Sequence, residues 1–194
     1  FHFAHHRFTQ IPGKDPELAT EKPKTTLGYV KHISGIPTWI EHFKTLLKNS
    51  IGSCSEDFLP TRAKPRIVKE SRLLLLAYTL ILSYSIFLGS TALFWIWIVP
   101  LFLGQPFLRF YLLAEHGLCP TVANIFENTR TTFTNRVVRL VAWNMPYHTE
   151  HHTYPTVPFH KLPDLHKIIQ RELIHTEPTY AAFTSKYIAK LTAE

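Results

Sequence analysis

Between Leu73 and Leu108 the chain has no Asp, Glu, Lys or Arg, and these 36 uncharged residues exclude an ordinary water-facing element. As one helix they would extend about 54 Å at 1.5 Å per residue, against a hydrocarbon core of roughly 30 Å. The run must therefore fold back on itself. Cysteine is scarce as well: Cys54 and Cys119 are too few for a disulfide framework and have no CxxC spacing. Both read as free thiols, with no sign of an oxidising compartment. No Gly-rich phosphate loop, GxSxG elbow or zinc-finger spacing is present. The chain also lacks an initiator Met and a signal-like leader, so we expect a fragment.

Acidic residues number 14 against 21 Lys plus Arg, a formal net charge of +7, which favours an anionic neighbour such as a membrane or a nucleic acid. The placement of the charge separates the two. Arg62, Lys64, Arg66, Lys69 and Arg72 precede the apolar run and Arg109 follows it, a pattern that fits a membrane and not a nucleic acid. Gly89-Ser90-Thr91 is the natural tip, giving spans over about 73–88 and 92–113. The positive-inside rule then puts both ends of the hairpin on the cytoplasmic side. Pro100, Gly104 and Pro106 predict a kink or local unwinding in the second span.

What the chain has in excess is histidine, with 12 residues. His2, His5 and His6 stand at i, i+3 and i+4, and His148, His151 and His152 repeat that spacing. On a helix each triad projects from one face. Two crossings of the membrane leave both triads on the same side, as a shared metal site requires. Pro12-Gly13 and Asp15-Pro16 end the helix of the first triad, and Tyr154-Pro155 ends that of the second. Glu115 and His116 follow directly on the second span, where ionisable residues are functional candidates, although an interfacial histidine is also cheap to place.

The remaining stretches read as supporting structure. Glu17 to Tyr29 is a polar loop. Ile36, Trp39, Ile40, Phe43 and Leu47 predict an amphipathic helix over 36–48, to pack on a core, the commoner case, or to lie in a membrane interface. Asn124 to Asn135 is a Thr-rich polar loop, over the site or solvated, and Asp164 to Leu173 a short helix. His32 and His42 read as surface or interfacial residues, and His160, His166 and His175, which have no partner spacing, as surface residues.

Imidazole ligates zinc, copper, iron and nickel alike. Six histidines on one face exceed the four of a structural zinc site and suit a pair of metals. Ligation needs neutral rings, so metal uptake is expected to weaken below about pH 6. Glu150, Asn144 and Glu115 are candidates for orienting the ligands, or equally solvated polar residues.

These residues resemble the membrane fatty acid desaturase family. The resemblance lies in His2-x-x-His5-His6 and His148-x-x-His151-His152 on either side of a two-span hairpin. Ala114-Glu115-His116, Asn128-Thr129-Arg130-Thr131, Asn144-Met145-Pro146-Tyr147 and Pro155-Thr156-Val157-Pro158-Phe159-His160 extend it, as does Leu162-Pro163-Asp164-Leu165-His166. It implies an all-α integral membrane protein, one transmembrane hairpin with interfacial and cytoplasmic helices, in a bacterial inner membrane or endoplasmic reticulum. It further implies a di-iron centre with two iron ions held by His2, His5, His6, His116, His148, His151 and His152, and O2 as co-substrate. The expected partners are the lipid bilayer, an acyl substrate and an acidic electron donor such as ferredoxin or a b-type cytochrome. An alkyl C–H bond offers a general base nothing to exploit, so redox-active metal and oxygen must supply the driving force, which zinc cannot. The family's first histidine box is expected upstream with a further pair of spans, leaving residues 1–194 as a C-terminal portion inactive by itself. A hydroxylase or ketolase on the same scaffold, and a non-catalytic metal-binding membrane protein, are the alternatives.

Overall fold

A computed structural model describes residues 1–193. The helices, in chain order, are α1 (His2–Phe8), α2 (Thr26–Ser34), α3 (Ile36–Ser50), α4 (Lys64–Phe87), α5 (Val99–His116), α6 (Ile125–Asn128), α7 (Arg136–Val141), α8 (His148–Thr153), α9 (Leu162–Ile169) and α10 (Tyr180–Ile188). Two strands, β1 (Thr131–Thr132) and β2 (Thr176–Glu177), pair in parallel. The fold is mostly helical and divides into two units, one of residues 30–109 and one of residues 1–29 with 110 onward.

The unit of residues 30–109 holds the apolar hairpin. Its first helix starts at Lys64, not at Leu73, because Pro65 suits a first turn and the long basic side chains favour a helix while reaching back to water. The chain reverses where expected: Gly89 is left-handed (φ 59°) and the Ser85 hydroxyl donates to the Ser90 carbonyl at 2.8 Å. The second arm opens with a π-helical turn, Phe94–Ile98, before α5. Pro100 has no N–H to give the carbonyl four residues back, and a widened turn just before it accommodates that loss. This is the local unwinding expected there, whereas Pro106 lies within α5 without ending it. Tyr78 and Trp97 pack the arms together with ring centroids 5.4 Å apart.

Both helices are long and apolar enough to cross a membrane. Their side chains point outward, with Phe87 83% and Phe107 79% exposed, a surface that water would penalise and hydrocarbon would not. The α3 helix forms as its periodicity predicts, but it is not a core helix. Ile36, Ile40, Phe43 and Leu47 are exposed and Trp39 is half-buried, so most of its apolar stripe is uncovered among the described residues. Gly35 starts it in a left-handed turn (φ 69°) where a Cβ would come 2.6 Å from that of Gln105.

In the unit of residues 1–29 and 110 onward, α10 packs against the last turns of α5. Leu113, Ala114, Phe183 and Tyr187 form the buried core, with Tyr29, Tyr180 and Leu191 around it. The polar loop expected over 17–29 is partly ordered: Pro16–Ala19 is a 3-10 turn and α2 begins at Thr26. The helix expected over 164–173 is shifted to Leu162–Ile169. The largest departure is the segment 124–135. Asn128, Thr129 and Thr131 are fully buried there, and β1 pairs with β2. Burial is affordable because the polar groups find partners. Asn128 Nδ2 donates to the carbonyls of Thr9 (3.0 Å) and Val122 (2.8 Å), and Thr129 Oγ1 donates to Asn128 Oδ1 (2.6 Å).

Candidate metal centre

Short helices with firm ends hold the histidines. The first, α1, stops at Thr9 and Gln10, the latter left-handed (φ 58°), and the Thr9 hydroxyl donates to the His5 carbonyl at 2.8 Å. A tight turn through left-handed Trp143 (φ 52°) and Asn144 (φ 56°) leads towards α8, which ends at Tyr154 because Pro155 cannot follow in a helix. At the end of α5, the Arg130 guanidinium donates to the carbonyls of Ala114 (2.9 Å) and Gly117 and lies 4.8 Å over the Phe183 ring. A cation on those last carbonyls complements the helix dipole and fixes the turn that carries Glu115 and His116.

His5, His116, His148 and His152 meet in a buried group in which one nitrogen from each ring lies within 4.8 Å of the other three. His148 Nε2 is 3.2 Å from His116 Nε2 and 3.1 Å from His152 Nε2. The proton on each ring can be located from its other nitrogen. His116 Nδ1 faces the Asn128 carbonyl (3.0 Å), which can only accept. His5 Nδ1 faces the Asp15 carboxylate (3.0 and 3.1 Å), and His152 Nδ1 faces Thr9 Oγ1 (3.1 Å), whose own proton goes to the His5 carbonyl. The Nδ1 atoms therefore carry the protons, and the Nε2 atoms of His116 and His152 converge as lone pairs on His148. Lone pairs at such separations repel unless a proton on His148 Nε2 or a cation lies between them. Two nitrogens bound to one ion at about 2.1 Å stand about 3.0–3.4 Å apart, so the spacing fits a metal.

A second group is formed by His2, His6 and His151. His6 Nε2 is 3.1 Å from His2 Nε2, and the His6 and His151 ring centroids are 4.6 Å apart. His6 Nδ1 is buried with no hydrogen-bond partner among the described residues. The two groups abut, the rings of His6 and His152 stacking at 4.2 Å, which suits a two-metal site. Burial, then neighbouring histidines, hold His148 well below its ordinary value and push His6 and His151 down to about 4. Neutral rings, the form that ligates, are thereby favoured.

The sequence model of the fatty acid desaturase family matches residues 1–184. The chain belongs to the fatty acid desaturase family. Searches of the curated proteins and of the solved structures give no match.

In this desaturase-family chain, all seven histidines singled out in the sequence lie in one group or the other, His116 with the buried four. Of the candidate orienting residues, Glu115 lies 3.4 Å from His148 Nδ1. Glu150 is fully buried but acts one step away, accepting from Thr131 Oγ1 and holding His166 Nδ1, each at 2.5 Å. His166 is thus a tethered residue and not the surface histidine expected. Asn144 does not reach the histidines: its left-handed backbone serves the turn, and its side chain donates to the Phe159 carbonyl (3.2 Å). His42 and His160 are exposed, His32 and His175 half-buried, and none joins either group.

Asp15, Glu17 and Thr9 were not foreseen. Asp15 is read in the sequence only as a helix breaker beside Pro16, yet its carboxylate is buried, accepts from the Gln10 and Glu17 amides (2.7 and 2.9 Å) and orients His5. Glu17 Oε2 lies 3.1 Å from His5 Nδ1 and 3.9 Å from His116 Nε2. Replacing Asp15 by Asn keeps the shape and removes the charge behind His5. Metal affinity should fall about 10–100-fold, read by competition with a chelator, and an unchanged affinity would remove Asp15 from this role.

Proposed function

We propose that this chain serves an integral membrane desaturase that introduces a carbon–carbon double bond into an acyl chain, with two iron ions held by the seven histidines. The observation that carries the proposal is the pair of abutting histidine groups, one of them buried with its Nε2 lone pairs converging. The seven histidines would hold the two iron ions, which with O2 and two electrons would supply the oxidising power to take two hydrogens from an unactivated alkyl chain. The chain's own residues do the rest. Asp15, Thr9 and the Asn128 carbonyl hold the protons of His5, His152 and His116 on Nδ1, so that the facing nitrogens stay free to ligate. Burial keeps water from the four-histidine group.

In this reading the hairpin crosses a bacterial inner membrane or the endoplasmic reticulum membrane, with the basic residues at the start of α4 and after the second apolar stretch on the cytoplasmic side. The acyl chain arrives from the bilayer, and the exposed stripe of α3 lies in the interface. The positive charge favours an acidic electron donor, a ferredoxin or a b-type cytochrome, over nucleic acid. Expression of the complete gene in a host of simple lipid composition, followed by mass spectrometry of its fatty acids, tests the reaction. New double bonds and two irons per chain are expected. New hydroxyl groups would replace desaturation by hydroxylation, and stoichiometric zinc with no iron would end the enzymatic reading.

A further inference from the structure

Beside the four-histidine group, and within the same unit, a cleft of about 410 Å³ opens against the backbone of His116. Its walls include Leu18, Pro23, Leu118, Tyr187 and Leu191, and three lysines line it, Lys22, Lys24 and Lys190, against one carboxylate, Glu21. That volume is in the range of small-molecule sites.

Two polar groups of the cleft, Lys22 and Gln10, are donors with hydrogen-bonding capacity left over. Lys22 is drawn in from solvent, and its Nζ donates to the Gln10 side-chain oxygen (3.2 Å) and to the His116 carbonyl (3.1 Å). An ammonium has three protons, and among the described residues no carboxylate lies within ion-pair distance of this one. Because Lys22 can only donate, it fixes the Gln10 amide with the oxygen towards itself. Gln10 Nε2 is left buried without a partner, on a side chain that lines the cleft and is 1% exposed. A buried donor without an acceptor is costly, and Lys22, which feels the Glu17 and Asp15 carboxylates but is bonded to neither, has a third proton with no acceptor among the described residues. One anionic oxygen group answers both. Lys24 is already bridged to Glu21 at 2.8 Å, whereas Lys190 makes no such pair among the described residues.

We propose that this cleft is a binding site for an anionic oxygen group, a phosphate or a carboxylate, held by Lys22 Nζ and Gln10 Nε2 with Lys190 at its rim. The group can be the head of an amphiphile, its apolar part on Leu118, Tyr187 and Leu191, or a free anion. Neither source requires metal in the histidine groups, so the site stands or falls apart from the proposed reaction.

Calorimetric titration of the purified full-length protein in detergent tests it, with inorganic phosphate, a water-soluble short-chain phosphatidate and octanoate as probes. At least one should bind saturably, weaken as salt rises, and bind about tenfold more weakly to Lys22→Met and about threefold more weakly to Lys190→Ala, where a tenfold change is about 1.4 kcal/mol. Phosphatidate binding well above phosphate assigns the site to an amphiphile head, and equal binding assigns it to the free anion. Lys190 is exposed and its substitution leaves the core intact, so the proposal remains testable if Lys22→Met fails to fold. Absence of saturable binding of every probe to the folded protein, or affinities unmoved by both substitutions, would overturn it.

Discussion

In the desaturase proposed for the complete gene product, replacing His148 by alanine should lower desaturation at least about 10³-fold and leave about one metal per chain in place of the two proposed. A histidine that merely orients a ligand costs 10–100-fold when its interaction is lost, and His148 stands nearer the centre than that. Its Nε2 is the atom on which those of both His116 and His152 close, so no neighbouring ring can take its place without moving a helix. The metal-free fold should tolerate the change. The substitution opens a small cavity, but it also removes a nitrogen from a crowd of converging lone pairs, and the two effects oppose each other. Iron content, fatty acid products and the thermal midpoint of the metal-free protein in detergent separate loss of a ligand from loss of the fold. His160→Ala is the matching control, since His160 is exposed and outside both groups, and it should retain activity and both metals. A His148→Ala protein that kept two irons and full product would take His148 off the ligand set.

The features legible in the sequence are those that rest on local periodicity or on its absence. The i, i+3, i+4 triads declare their shared face by spacing alone, and the uncharged length of 73–108 dictates a reversal whose tip at Gly89 follows from residue type. Asp15 was not legible, because its role arises from a chain reversal that returns it to His5 across ten positions. The same holds for the segment 128–132. By composition it is a polar loop, and it is buried only because the Thr9 carbonyl, the end of α5 and Glu150 supply its partners. No window of sequence contains those contacts. The paired strands are two residues each, too short to show a period. The apolar stripe of α3 was visible, but whether a core covers it is a tertiary fact, and among the described residues only Trp39 of the five is half-buried.

Acid should release the metals near pH 4 and not near pH 6, the value that ordinary imidazoles imply. The reason is the depression of His6 and His151 from 6.5 to about 4, with His148 also held well below its ordinary value, chiefly by burial and then by neighbouring histidines. A proton competes with a metal only below the ligand's own pKa. Between pH 6.5 and 4 these rings stay neutral in the fold, whereas in the unfolded chain they take up protons. The unfolded state thus binds more protons across that window, and stability rises with pH. The contribution is fully present above about pH 6.5 and is lost as pH falls through about 4. The metal-free protein should therefore show a thermal midpoint that is level near neutrality and falls from about pH 6.5 downward. The loaded protein should keep its metal at pH 6 and lose it steeply near pH 4, because several crowded rings protonate together. Dialysis against a pH series with metal analysis gives one curve, and thermal unfolding of the metal-free form the other. Half-release already at pH 6 would mean that the rings are not shielded as the burial of His6, His148 and His151 requires.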